Sequence, residues 1–186
     1  YMSIMERGGG ITSTVRATRD TSLDEFVERG KKTLDKYAAM GVTTVEGKSG
    51  YGLDRDTEIR QLKAMKTLNE THPVDVVPTF LGPHSVLPEY KGKEDEFIDF
   101  MIEVMKDVAE SKLAEFADIF CEKNVFSVEQ SRRFLTAAKK MGLKLKIHAD
   151  EMVQLGGTEL AVELGSTSAD HLLQASDEGI KMLSQS

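Results

Sequence analysis

Two histidines stand at the ends of predicted strands, with carboxylates close by. His148 closes the strand 144–148, and Glu151 follows three residues later; His171 closes the next short strand, 168–171. An imidazole can bind a metal ion or stabilise developing charge, and a nearby carboxylate can activate water. This combination predicts metal-assisted hydrolysis, with His148 as a metal ligand, Glu151 as a general acid or base and His171 as a catalytic group.

A structural interpretation stands beside each of these assignments. A histidine at the end of a strand is more often structural than a ligand. Glu151 also lies just before a predicted helix, where a carboxylate interacts favourably with the helix dipole. Asp170, directly before His171, could orient the ring of that histidine.

Three further segments offer groups to a ligand. His84 ends another predicted strand, and Tyr51 sits in the tight turn 48–52, where it either presents its hydroxyl to a ligand or covers the rim of the fold. The glycines at 8–10 form either an anion-binding nest or a flexible turn. Cys121 is predicted to be a buried apolar residue rather than a nucleophile, because no histidine is near it in sequence.

The segments that must position these residues alternate between strand and helix patterns. Predicted strands cover 42–48, 75–81, 116–121, 144–148 and 168–171. Predicted helices cover 1–6, 22–40, 54–71, 94–110, 127–141, 155–164 and 176–183. Five βα units in succession imply a parallel sheet with right-handed crossovers.

Two architectures fit this alternation: an open doubly wound sheet and part of a (β/α)8 barrel. No Gly-rich phosphate loop follows the first strand, which disfavours a nucleotide-binding sheet. Candidate residues follow the C-terminal ends of several strands, as in barrel active sites; they are Lys48, His84, Glu122, His148 and His171. We therefore predict an α/β fold, a partial (β/α)8 TIM barrel of about five consecutive βα units, with residues 1–186 forming the central part of one domain.

Strand parity predicts an unusually polar barrel interior. Lys146 and His148 share one face of their strand, and Glu46 and Lys48 share one face of the first strand. Buried charges must be paired, so we expect Glu46 to pair with one of these lysines. The alternative is that Lys144 and Lys146 face solvent because the sheet is incomplete.

Composition narrows the classes of function. The 186 residues carry a net charge of -7, which argues against nucleic acid or an anionic membrane surface as a partner. No apolar run is long enough for a membrane-spanning helix. The single cysteine excludes an internal disulfide framework and is typical of a reducing cytoplasm.

Several short motifs, spread over essentially the whole chain, match one known family. They are Gly8–Ile11, Ser13–Val15, Ala17–Arg19, Lys48–Leu53, Phe80–Gly82 with His84, Phe120–Glu122, His148–Glu151 and Ser168–Leu172. Together these motifs resemble imidazolonepropionases, which are metal-dependent (β/α)8-barrel hydrolases of the amidohydrolase superfamily. The resemblance implies hydrolysis of the ring amide of 4-imidazolone-5-propanoate to N-formimino-L-glutamate, in the degradation of L-histidine.

The resemblance also implies roles for individual residues. His148 is similar to the family's metal ligand from the fifth strand, and Glu151 to the residue that activates water and contacts the substrate ring. His171 is similar to the histidine that stabilises the oxyanion or relays a proton. The family's substrate contacts correspond to Tyr1, Tyr51 and His84. One Zn²⁺ or Fe ion per site, a small-molecule substrate and a homodimeric parent protein are further implications.

Some features depart from the family pattern. Two histidine ligands and an arginine are expected upstream of Tyr1, and an aspartate ligand beyond Ser186, which leaves one of four protein ligands in this chain. Catalytic zinc normally has three protein ligands, so we expect the chain alone to be inactive. Gly47 replaces a usual aliphatic residue, and Pro83 and Ser85 flank the predicted histidine contact.

Two other functions stay open at this point. The first is a different cyclic amidohydrolase or a deaminase of the same superfamily. The second is a half-barrel that acts only as a folding or assembly module, whose unpaired strand edges would invite dimerisation.

Overall fold

The computed structural model describes residues 12–186, in which strands and helices alternate. The helices are α1 (Thr12–Asp20), α2 (Leu23–Ala39), α3 (Arg55–Thr71), α4 (Glu94–Glu110), α5 (Val128–Lys140), α6 (Gly157–Leu164) and α7 (Asp177–Leu183), with a 3-10 turn at Pro88–Tyr90. The strands are β1 (Thr44–Lys48), β2 (Asp75–Phe80), β3 (Phe116–Ala117), β4 (Phe120–Cys121), β5 (Lys144–Ala149) and β6 (Ser168–His171). No helix among these is both long and apolar enough to cross a membrane.

Local capping explains where most helices begin. The Ser22 side chain accepts from the Glu25 N–H while Glu25 reaches back, and Ser127 and Gln130 repeat this capping box at α5. Asp54 caps α3 in the same position. These starts lie within one residue of the predicted ones. The predicted helix 1–6 and the glycines at 8–10 lie outside the described residues.

Two helices differ from the prediction. Helix α1 was not predicted from the sequence. Helix α6 begins at Gly157 rather than at residue 155, because Gly156 adopts the left-handed conformation at φ 102°. The segment before it is held by hydrogen bonds to Asp150 instead of helical ones.

All pairings in the sheet are parallel, and the strands follow chain order. β1 pairs with β2, β2 with β3, and β5 lies between β3/β4 and β6. The predicted strand 116–121 is therefore one track with an interruption at residues 118–119. Among residues 12–186 the order never reverses, unlike a doubly wound sheet. The prediction of five consecutive βα units of a barrel is confirmed.

The main core lies between the outer face of the sheet and helices α4 and α5. Phe80, Phe97, Met101, Phe126 and Phe134 are all 0% exposed there. The packing of these side chains holds helices α4 and α5 against the outer face of the sheet. The inner face and the C-terminal ends of the strands are left for polar residues. This helix layer is what positions the polar residues of the site.

Gly47, in the middle of β1, leaves space that a neighbouring side chain fills. A Cβ on Gly47 would lie 2.9 Å from the Sδ atom of Met65 in α3. The flexible methionine thus occupies the volume where an aliphatic side chain would stand. Met65 therefore packs against β1 where the family's aliphatic side chain is missing.

Candidate active site

A cavity of about 290 Å³ opens at the C-terminal ends of the strands. It is lined by Lys48, Tyr51, Leu81, His84, Phe120, His148, Glu151 and His171. The fold therefore brings five predicted site residues to one place, although they come from four different strand ends. The sixth, Tyr1, lies outside the described residues.

His148 is held by a buried carboxylate. Its Nδ1 lies 3.0 Å from Oδ1 of Asp118, which is 0% exposed. A carboxylate can only accept at this contact, so Nδ1 carries the proton, and in the neutral form of the ring Nε2 has a lone pair. Histidines that bind metal ions are typically held in this way by a carboxylate on the other ring nitrogen.

Oxygen donors lie close to His148. Ligand atoms of Asp118, His148 and Asp170 lie within 4.8 Å of one another, a spacing that allows a shared metal ion. Both oxygens of Asp118 already accept hydrogen bonds, from His148 and from Lys48. Among the residues that the structure describes, Asp170 accepts no hydrogen bond as short as these: its Oδ2 lies 3.9 Å from Nε2 of His148 and 3.4 Å from Nζ of Lys48, so Nε2 and Asp170 are the donors that suit a metal. An imidazole nitrogen with carboxylate oxygen fits zinc or iron.

The charges inside the half-barrel form one network. Glu46 contacts Lys48 at 2.9 Å and Lys146 at 3.1 Å, so the predicted pairing of Glu46 is confirmed with both lysines. Lys48 also contacts Asp118 at 2.8 Å and Asp170 at 3.4 Å. Burial alone would lower the pKa of Lys48, because it disfavours the charged ammonium. The attraction of the Asp118 and Glu46 carboxylates is stronger than this effect, so the pKa of Lys48 is raised. Lys144, in contrast, is exposed and lies over the ring of Phe116.

Glu151 and His171 form a second pair in the cavity. The Oε2 of Glu151 lies 3.6 Å from Nε2 of His171. The strand prediction linked Asp170 to the ring of His171, but Asp170 instead faces Lys48 and His148. Asp170 pairs with His148 and shares its inward face, whereas His171 leaves the extended conformation at φ 73°, so its ring reaches the cavity at Glu151.

Two other carboxylates hold the loop that carries Glu151. Glu122 accepts the N–H of Met152 at 2.8 Å, and Asp150 accepts the N–H of Leu155 at 2.7 Å and that of Thr158 at 2.8 Å. Burial alone would raise the pKa of the Asp150 carboxyl. The hydrogen bonds donated to it have the larger effect, so its pKa lies below the ordinary value. The structural role at the helix start belongs to Asp150, which leaves Glu151 free for the cavity.

His84 and Tyr51 form the opposite wall. The Nδ1 of His84 lies 3.0 Å from the carbonyl oxygen of Gly50. The ring of Tyr51 packs edge-on to the ring of His84, with 5.2 Å between centroids. Burial and the nearby His148 lower the pKa of His84 to about 4, so its ring is neutral at pH 7. Pro83 does not turn His84 away, since the ring still lines the cavity.

The sequence interpretation overlooked Asp118 and misplaced Asp170. Asp118 interrupts an otherwise apolar strand, and an unpaired carboxylate there would be costly. That signal could have identified it as the partner of an imidazole or a lysine. Nothing in the spacing, however, indicates which one.

The sequence of this chain is similar to those of curated imidazolonepropionases. The chain is 59% identical over 184 residues to an imidazolonepropionase of Clostridium tetani, covering 98% of this chain and 44% of that protein. It is 60% identical over 186 residues to that of Bacteroides thetaiotaomicron and 54% identical over 186 residues to that of Bacillus cereus, which it covers to 45% and 44%. The chain therefore spans less than half the length of these curated relatives. No protein-family model matches it.

A solved structure shows the same fold. The crystal structure of adenine deaminase from Arthrobacter aurescens superposes with a TM-score of 0.65 over 88% of this chain and 50% of that one, at 17% identity. The superposition supports the partial-barrel fold, but at this low identity it carries no information on function. Along nearly its whole length this chain matches imidazolonepropionases at 54–60% identity, and the resemblance predicted from its motifs is confirmed.

Proposed function

We propose that the protein containing this chain hydrolyses the ring amide of 4-imidazolone-5-propanoate to N-formimino-L-glutamate. The observation that carries the proposal is His148, whose Nδ1 is held by buried Asp118 while Nε2 stays available beside the Glu151–His171 pair. The names of its relatives supply the substrate. A small cavity at strand ends suits a small-molecule substrate.

His148 would hold the metal ion in this site, with Asp170 as the neighbouring oxygen donor. When bound, such an ion lowers the pKa of water and polarises a carbonyl group. Glu151 would orient the attacking water and accept its proton. His171, 3.6 Å from Glu151, would stabilise the developing oxyanion or return the proton to the departing ring nitrogen.

The remaining assignments concern binding and context. Tyr51 and His84 would contact the substrate ring or its side chain, together with Tyr1. The metal would be zinc or iron, both of which accept imidazole and carboxylate. We further propose a homodimeric parent in the cytoplasm, the latter because Cys121 is a free thiol. The chain alone would be inactive, because its described donors are fewer than catalytic zinc requires.

The test compares the full open reading frame that contains this chain with its His148→Ala variant. We expect turnover of 4-imidazolone-5-propanoate and about one bound metal per site in the parent, and loss of both in the variant. His72→Gln is the matched control, because His72 lies at the opposite end of the sheet and contacts Asp35.

Three results would each contradict a part of the proposal. A parent that binds metal but leaves this substrate intact would refute the substrate and favour another cyclic amide or an aminopurine. A His148→Ala protein with normal metal content would refute the ligand role. Turnover by the isolated 186-residue chain would refute the expected inactivity.

A further inference from the structure

A buried carboxylate, Glu58, lies beneath the loop 49–53 that carries Tyr51. Glu58 belongs to the first turn of α3 and is 0% exposed. Its two oxygens accept the backbone N–H groups of Gly50, Gly52 and Leu53, at 2.7, 3.0 and 2.9 Å. One side chain therefore satisfies three backbone donors of a loop that precedes it in sequence.

The conformation of this loop needs such support. Leu53 adopts φ 56°, a left-handed conformation that is uncommon for leucine. Gly50 adopts φ 96°, and a Cβ there would lie 2.4 Å from the carbonyl oxygen of Leu81. The Ser49 hydroxyl bonds to Glu58 and accepts the N–H of Leu81 at 3.0 Å, which ties the loop to the end of β2.

Burial raises the pKa of Glu58, yet its surroundings suit the ionised form. Every group that contacts its oxygens is an N–H or O–H donor. A protonated carboxyl would turn its own O–H towards one of these donors. The carboxylate is therefore the form that satisfies the whole loop.

The loop in turn sets the state of His84. The carbonyl oxygen of Gly50 can only accept, so Nδ1 of His84, 3.0 Å away, must carry a proton. Within residues 12–186 no hydrogen bond to Nε2 of His84 is present, although the ring lines the cavity. In the neutral ring Nε2 is then an acceptor that a ligand can use.

We propose that Glu58 is a positioning residue that acts through Gly50: it fixes the place and tautomer of His84, so that Nε2 of His84 accepts a hydrogen bond from an N–H group of the substrate ring. This inference rests on the proposed function for the ring substrate, whose amide carries such an N–H. Glu58 itself does not line the cavity. A histidine with the opposite tautomer would present a donor to that N–H and reject it.

The first test is kinetic and uses the full-length protein. In Glu58→Gln the remaining carbonyl oxygen can still accept from Gly52 and Leu53, but the new NH₂ group faces the N–H of Gly50. We expect KM to rise by about tenfold or more while kcat changes by less than about threefold, because binding contacts move and the hydrolytic residues do not. The exposed Glu70→Gln on the same helix should leave both constants unchanged. An unchanged KM in folded Glu58→Gln, or a fall in kcat at constant KM, overturns the proposal.

The second test does not depend on turnover. Histidine labelled with ¹⁵N and ¹³C in the same protein reports the tautomer of His84, assigned with His84→Gln. We expect the Nδ1–H form in the parent and a mixture of tautomers in Glu58→Gln; an Nε2–H form in the parent overturns the proposal. If the parent shows the Nδ1–H form but does not turn over 4-imidazolone-5-propanoate, the proposed function fails and the role of Glu58 stands.

A milder variant covers the case in which Glu58→Gln does not fold. Ser49→Ala removes one hydroxyl donor and leaves the three backbone contacts in place. It should shift KM and the tautomer in the same direction by a smaller factor. Wild-type values of both in Ser49→Ala, with Glu58→Gln unfolded, would identify Glu58 as a purely structural residue.

Discussion

Reversing the charge of Glu46 should destabilise the fold strongly. The Glu46 carboxylate lies 2.9 Å from Nζ of Lys48 and 3.1 Å from Nζ of Lys146, and its side chain is 27% exposed. Lys48 would keep Asp118 and Asp170, but Lys146 has no other carboxylate partner among residues 12–186. Glu46→Lys therefore leaves one half-buried ammonium unpaired and adds another beside it.

The magnitude follows from these distances. Each contact is worth about 5 kcal/mol of direct attraction at an effective dielectric constant near 20, most of which offsets desolvation. Breaking a buried pair by removing one partner costs about 3–5 kcal/mol. For a chain of this size that corresponds to a fall in Tm of roughly 6–20 °C. The neutral Glu46→Gln should cost less, about 1–3 kcal/mol, because it removes the carboxylate partner of Lys146 without adding repulsion.

Urea unfolding followed by circular dichroism gives the free energy directly, with Glu103→Lys as the control. Glu103 pairs with Lys106 on the surface and its side chain is 61% exposed. A surface pair of this kind contributes about 0–1 kcal/mol. If Glu46→Lys and Glu103→Lys unfold at the same urea concentration, the charge network does not stabilise the half-barrel and the reasoning fails.

Three further predictions concern the thiol of Cys121, the close packing of Gly157 and the contact of Asp118 with Nδ1 of His148. Burial raises the pKa of Cys121 to about 11, so at pH 8 a thiol reagent should label the native protein far more slowly than the denatured one; fast native labelling would contradict the buried position. Gly157→Ala should destabilise by about 1–3 kcal/mol in thermal unfolding, because its Cβ would lie 2.6 Å from Cβ of Ala149. Gly30→Ala, opposed mainly by the flexible end of a leucine, should cost less, and equal effects would refute the packing argument. Asp118→Asn should weaken metal binding by the full-length protein about 10–100-fold in equilibrium dialysis; wild-type affinity would show that Asp118 does not support the ligand.

Helix starts were predictable because they depend on neighbours in sequence. Ser22 and Ser127 each meet the residue three positions on, so their capping boxes can be recognised without the fold. The start of α6 could not be predicted in this way. It depends on Asp150, a residue seven positions before the helix, whose carboxylate accepts backbone N–H groups across a loop.

The residues that line the cavity were easier to predict than the contacts between them. Strand-end positions identified Tyr51, His84, His148, Glu151 and His171, because parallel strands place their C-terminal ends at one edge. Their partners come from distant segments. Asp118 lies 30 residues before His148, and Glu58 holds a loop that the motif alone marked as a turn.

Alternation of strand and helix patterns and strand parity were enough to indicate a partial barrel, a polar interior and a cluster of strand-end histidines. These features are local, since each depends on residues a few positions apart. Distances between strands decide that Glu46 pairs with both Lys48 and Lys146. They also decide that Asp118 holds His148 and that Asp170 faces His148. Such distances are set by sheet register and by the packing of α4 and α5, to which the whole core contributes.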